Sequence, residues 1–153
     1  MKLDPPLPLH PCVKPHQTGA GARSLGAALE RETKLLGDLL QVLTKHREAL
    51  ASDDLTTIDD TIFSVQRILR TLAEARKKRR TLLEIMGIDP ETPMDELEDS
   101  LNPSAAPELR EAVQAFRAIA LELTNELEIN QKVLNCAFES RKTFIEALGG
   151  GPD

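Results

Sequence analysis

Few side chains in this sequence have chemistry to offer. Its three histidines, His10, His16 and His46, are scattered, and none has a carboxylate three or four residues away in the Glu-x-x-His pattern by which helical bundles hold metals. Cys12 and Cys136 stand at opposite ends of the chain, with no C-x-x-C pair and no Cys/His spacing that points to zinc. His46, on an apolar helical face, reads as an interior histidine rather than a base or ligand. GAGAR (19–23) and GGGPD (149–153) read as flexible ends, since no strand precedes either to make a phosphate loop. No catalytic, metal or cofactor site is expected.

Two stretches remain. RKKRR (76–80) is the densest charge run. Nucleic acid is one candidate partner for it, but five consecutive helical residues point in every direction. Arg76 and Arg79 fall on the apolar seam and Lys77, Lys78 and Arg80 face out, with Asp95, Glu96, Glu98 and Asp99 near enough in sequence to pair with them. The net charge of −6 also opposes general binding to nucleic acid or an anionic membrane. The other stretch is LNCAFESRKTFIEAL (134–148), which sets Phe138, Phe144, Ile145 and Leu148 at helical spacing just before a glycine run. Its chemistry is that of an apolar contact surface.

The elements that position this stretch follow from composition and period. With 153 residues, 3% aromatics and no Trp or Tyr, the chain is one domain with an aliphatic core, all-α in class. Prolines 5, 6, 8, 11 and 15 deny the N-terminus the apolar run of an export signal and predict an extended arm over 1–23. No stretch reaches the ~20 apolar residues of a membrane span.

Ser24 is a suitable cap for a first helix running to about Ser52. Its seam is Leu29, Glu32, Leu36, Leu39, Leu43, His46 and Leu50. Ser52, Asp53 and Asp54 make a tight turn, and a second seam follows: Leu55, Ile58, Ile62, Val65, Leu69, Leu72, Arg76, Arg79, Leu83 and Met86, stopped by Gly87. Residues 88–103 form an acidic, proline-punctuated connection. Thr92 and Pro93 open a short helix there, with Met94, Leu97 and Leu101 on it.

A third long helix starts between Ser104 and Pro107. Its seam is Leu109, Val113, Phe116, Ala120, Leu123, Leu127, Asn130, Leu134, Ala137, Arg141, Phe144 and Leu148. Asn130 and Arg141 are polar interruptions of the kind that set register. The expected fold is an antiparallel bundle of three long helices, ~40, ~50 and ~65 Å in length, with coiled-coil-like packing. The last helix passes the first turn near residue 138 and overshoots it by ~15 Å. The domain is 24–148, with a tail at 149–153.

LLGDLLQVLTKHREALASDD (35–54), IDDTIFSVQRILRTLAEARKKRRTLLE (58–84) and NELEINQKVLNCAFESRKTFIEAL (125–148), in this order and at these lengths, resemble the FlgN-type family of flagellar type III export chaperones over roughly 25–148. The resemblance implies a non-enzymatic, cytosolic chaperone. Such a protein binds the helical C-terminal segments of hook-filament junction proteins, prevents their premature assembly and brings them to the export gate.

It also implies a partner-binding surface at Leu134, Phe138, Phe144, Ile145 and Leu148. The tyrosine linked to gate docking in some members has no counterpart in this chain, which leaves Phe138 or Phe144 to take its place. The alternative is a structural coiled-coil protein that homodimerises through the same C-terminal helix.

Overall fold

A computed structural model describes residues 19–100 and 107–149. Four helices make up the described chain: α1 (Gly19–Ala51), α2 (Leu55–Ile85), α3 (Met94–Ser100) and α4 (Pro107–Ala147). The expected positions of the N-terminal arm up to residue 18, Leu101, Ser104, and the tail from 150 lie outside the described residues.

Each boundary has a local cause. Asp53 turns the chain in the left-handed region at φ 54, where Asp is tolerated better than most residues. Asp54 then caps α2, accepting from the Thr57 backbone N–H at 3.1 Å and from its hydroxyl at 2.6 Å. At the far end of α2, Gly87 has φ +72. There the Ile88 N–H donates to the Leu83 carbonyl at 2.9 Å and the Gly87 N–H to that of Glu84 at 3.0 Å, the paired bonds of a Schellman stop. The first bonds of α3 go to the carbonyl of Pro93, from the N–H groups of Glu96 and Leu97 at 3.0 Å each.

The start of α1 corrects the sequence reading. The helix begins at Gly19, so residues 19–23 are helical and Ser24 lies exposed within it instead of capping it. Ala22 is buried in a cluster that includes Leu109 and Ala112 of α4; tertiary burial recruits a segment whose glycines argue for a loop. The first two helices are consequently similar in length, 33 and 31 residues against 41 for α4.

The packing also differs from a symmetric three-helix bundle. α1 lies between α2 and α4, and no Cα of α2 comes within 8 Å of one in α4. One buried cluster joins Leu25 and Leu29 of α1, Leu83 of α2, Leu97 of α3, and Leu109 and Val113 of α4. A second joins Leu36 and Leu39 to Leu123, with Val65, Ile68 and Leu72 packed against it. The order of these contacts makes α4 parallel to α1 and α2 antiparallel to both.

The seam of α1 is as read, with all seven of its residues buried or half-buried. That of α2 is not. Thr61, Ile68 and Ala75 take inward positions, and Leu55, Ile62, Leu69 and Arg76 are exposed. On α4, Glu126 and Asn130 face in and Leu127 faces out. The inward residues keep the seven-residue step of the stripe inferred from the sequence but lie one position before it, at Thr61, Ile68 and Ala75 in place of Ile62, Leu69 and Arg76, because α1 covers the neighbouring side of a wide apolar face.

Candidate functional site

α4 leaves the rest of the molecule earlier than residue 138. Asn130 is the last buried residue and Val133 is half-buried; every described residue from Leu134 onward is exposed. The stretch from 134 to Ala147 projects ~20 Å at the rise of an α-helix.

Leu134, Phe138, Phe144, Ile145 and Leu148 are 49%, 68%, 64%, 51% and 70% exposed. Leu134, Phe138, Arg141, Ile145 and Leu148 follow four- and three-residue steps that continue the face buried at Leu123 and Asn130, with Phe144 at its edge. The helix stops where the Gly149 N–H reaches the Glu146 carbonyl at 3.1 Å and Gly149 takes φ +77.

A polar cluster anchors the root of this overhang. Arg47 donates from Nε to Glu126 Oε1 at 2.9 Å, and this hydrogen bond raises the pKa of the guanidinium above its ordinary value. Asn130 Nδ2 donates to the Glu126 carbonyl at 2.9 Å and to its Oε1 at 3.1 Å. Asn130 Oδ1 is buried with no hydrogen-bond partner among the described residues, an unmet acceptor that costs stability at this point of the fold. Nearby, His46 Nδ1 lies 2.8 Å from the Thr61 hydroxyl and so joins α1 to α2. The polar seam positions thus mark the end of the dry core.

The basic run divides differently from the expectation. Arg79 is buried, donating from Nε to Glu32 Oε2 at 2.5 Å and lying 5.7 Å from the centre of the Phe116 ring. Burial pushes the Glu32 carboxyl above its ordinary pKa, and Arg79 offsets this only in part. Arg80 pairs with Glu91, and Asp95 pairs at 2.9 Å with Arg117 of α4 rather than with the run itself. Arg76 is exposed rather than on the seam, beside the outward Lys77 and Lys78.

Exposed apolar residues on α2 escaped the sequence reading because they were placed in the core: Leu55, Ile62 and Leu69, with Phe63 beside them. The signal was available in the width of the stripe. Ile58, Val65 and Leu72 run alongside Leu55, Ile62 and Leu69, which is more apolar surface than one neighbouring helix covers.

Among the described residues, no group of three or more His, Cys, Asp and Glu side chains is placed to hold a metal, and no helix is long and apolar enough to cross a membrane. What the molecule presents is helical apolar surface on a rigid all-α frame, the equipment of a protein-binding module. Residues 22–153 match the family described as FlgN protein, and the chain belongs to this family of flagellar export chaperones. No curated protein and no solved structure matches it.

Proposed function

We propose that this chain is a cytosolic chaperone for hook-filament junction proteins, holding their helical C-terminal segments on the overhang of α4 and delivering them to the export gate. The observation that carries the reading is the unburied stretch from Leu134 to Leu148. It continues a core face into solvent over about four turns, with five large apolar side chains on it.

An amphipathic client helix supplies the missing apolar face in a helix-in-groove mode. Masking that segment keeps the client from assembling early. A surface with no deep enclosure suits release at the gate, since tight interfaces concentrate their anchors in buried pockets. In the absence of tyrosine, gate docking falls to Phe138 or Phe144.

The test replaces Phe144 with Ser, Ile145 with Thr and Leu148 with Gln, then titrates wild type and variant calorimetrically with the C-terminal helix of a junction protein. Each side chain buried in the complex contributes about 1.5–3 kcal/mol, so the variant is expected to lose affinity by orders of magnitude. Unchanged affinity would refute the reading. A wild-type protein that sediments as a tight dimer, and as a monomer once these residues are replaced, would instead establish the homodimeric alternative.

A further inference from the structure

The exposed rows on α2 and α4 face the same gap. Leu55, Ile62, Leu69 and Arg76 stand seven residues apart on α2, as do Leu127, Leu134 and Arg141 on α4, and all are exposed. α2 and α4 run antiparallel, and Arg79 meets Phe116. Counted out equally from that pair, Leu69 is level with Glu126 and Leu127, and Ile62 is level with Val133 and Leu134. All four apolar residues are 43–49% exposed. With α2 and α4 packed on either side of α1 and out of contact with each other, the register about Arg79 and Phe116 places these rows to form opposite walls of a groove.

One end of this groove region already holds a helix. α3, MDELEDS, inserts Leu97 completely between the end of α2 and the start of α4. It and the preceding turn direct carboxylates at cations on both walls: Glu91 at Arg80 of α2 and Asp95 at Arg117 of α4. Beyond α3, the α2 wall continues as a depression lined by Leu69, Leu72, Ala73, Arg76 and Lys77. Neither Arg76 nor Lys77 has an ion-pair partner among the described residues. Their charges sit beside the apolar row at Leu69 and Leu72.

We infer that the α2–α4 groove is the seat of a partner's amphipathic helix with acidic flanks, which continues the line of α3 and completes a four-helix bundle at this level. The recognition repeats what α3 does within the chain. Apolar residues at three- and four-residue steps enter between Leu69 and Leu127 and between Ile62 and Leu134, and carboxylates on the helix flank meet Arg76 and Lys77. The inference rests on the chaperone reading in taking the client helix as the natural occupant. It extends the binding surface from the overhang to α2.

The test uses the full chain and three probes: the junction-protein C-terminal helix, a designed helical peptide with Leu at its a and d positions and Glu at the flanking positions, and the same peptide with Lys for Glu. Wild type should bind the Glu peptide about tenfold or more tighter than the Lys peptide at low salt, a preference that fades towards about 1 M salt. Arg76→Glu with Lys77→Glu should abolish the preference. Leu69→Ser with Leu127→Ser should weaken both the junction helix and the Glu peptide by about tenfold or more, with a melting point within about 4 °C of wild type.

A junction helix that ignores the groove substitutions but is lost with the overhang substitutions, together with no preference between the peptides, would overturn the groove inference and leave the client reading intact. A junction helix that fails to bind wild type, beside a Glu peptide that binds and responds to the groove substitutions, would do the reverse. A wild-type dimer dissociated by Leu69→Ser with Leu127→Ser would assign the groove to a second copy. A gain of about tenfold in peptide affinity from Leu7→Ser with Leu9→Ser would assign it to the chain's own N-terminal segment. Either result overturns the inference.

Discussion

The two ends of α4 carry similar apolar stripes and meet opposite fates. From Leu109 to Val113 the apolar face is enclosed by α1, by the end of α2 and by Leu97 of α3, and Leu109, Ala112 and Val113 are buried there. From Leu134 to Leu148 the stripe has no cover among the described residues. The difference lies in the neighbours, not in the helix. At the closed end three other elements converge, helped by the Schellman stop at Gly87; at the open end α1 and α2 have already turned into one another at Ser52–Asp54. An amphipathic helix therefore reports that something covers its apolar face without reporting whether the cover is its own chain.

Substitutions should separate the two ends by size of effect. The largest is expected at the buried pair. Arg79→Ala strands the Glu32 carboxylate in the core and should cost about 3–5 kcal/mol in a urea melt at neutral pH. The pH dependence has a definite sign. The folded-state pKa of Glu32 lies above its unfolded value, so its favourable contribution is complete below the ordinary carboxylate range and declines as pH rises through the folded value. The Arg79→Ala penalty should accordingly shrink as the melt is repeated at acid pH, where a neutral Glu32 needs no cation. A penalty that grew in acid would contradict the assignment.

Next in size, Leu29→Ala at the closed end should cost about 2–5 kcal/mol through lost burial and the cavity left behind. Phe138→Ala on the overhang, which removes a larger side chain, should move the same melt by under about 1 kcal/mol. Equal losses at the two positions would remove the contrast between the ends. Amide exchange sharpens it further: protection near the global limit is expected around Leu25–Leu29 and Ala112–Phe116, and protection lower by at least about tenfold over Phe138–Glu146.

The smallest effect is expected at the turn between α1 and α2. Asp54 has its pKa lowered by the hydrogen bonds from the Thr57 hydroxyl and backbone N–H. Its contribution is therefore present above the ordinary carboxylate range and lost as pH falls through the depressed folded value. Asp54→Ala should lower the melting point slightly at neutral pH, and the gap from wild type should close in acid. Both gaps close in acid but in different windows, that of Arg79→Ala above the ordinary carboxylate range and that of Asp54→Ala below it, so one pH series distinguishes the buried carboxylate from the exposed one.

Several features were legible in the linear sequence because they depend on short-range geometry. The α1 seam from Leu29 to Leu50, the turn at Ser52–Asp54, the stop at Gly87 and the short helix after Pro93 each rest on residues within a few positions of one another. Others were not. Arg76 and Ala75 compete for one inward position on α2, and period alone favoured the arginine because a stripe of Leu, Ile and Arg at seven-residue steps looks continuous. Only the direction from which α1 approaches makes Ala75 the inward residue. Likewise Leu127 appeared a better core residue than Glu126, yet Arg47 of α1 meets Glu126 at 2.9 Å and turns the apolar neighbour outward.

By itself the sequence determined that the chain is helical, where its long helices turn and stop, and that the last helix outruns the others, since local caps, glycines and apolar period act through neighbouring residues. Only the tertiary structure decided that α1 is the central helix, that Glu32 and Arg79, 47 residues apart, share the core, and that Ile62, Leu69, Leu127 and Leu134 stay exposed. Those outcomes depend on the direction and spacing of helix packing. A stripe about a third of a helix wide can be buried by a neighbour on either flank, and its own residues are the same in both cases.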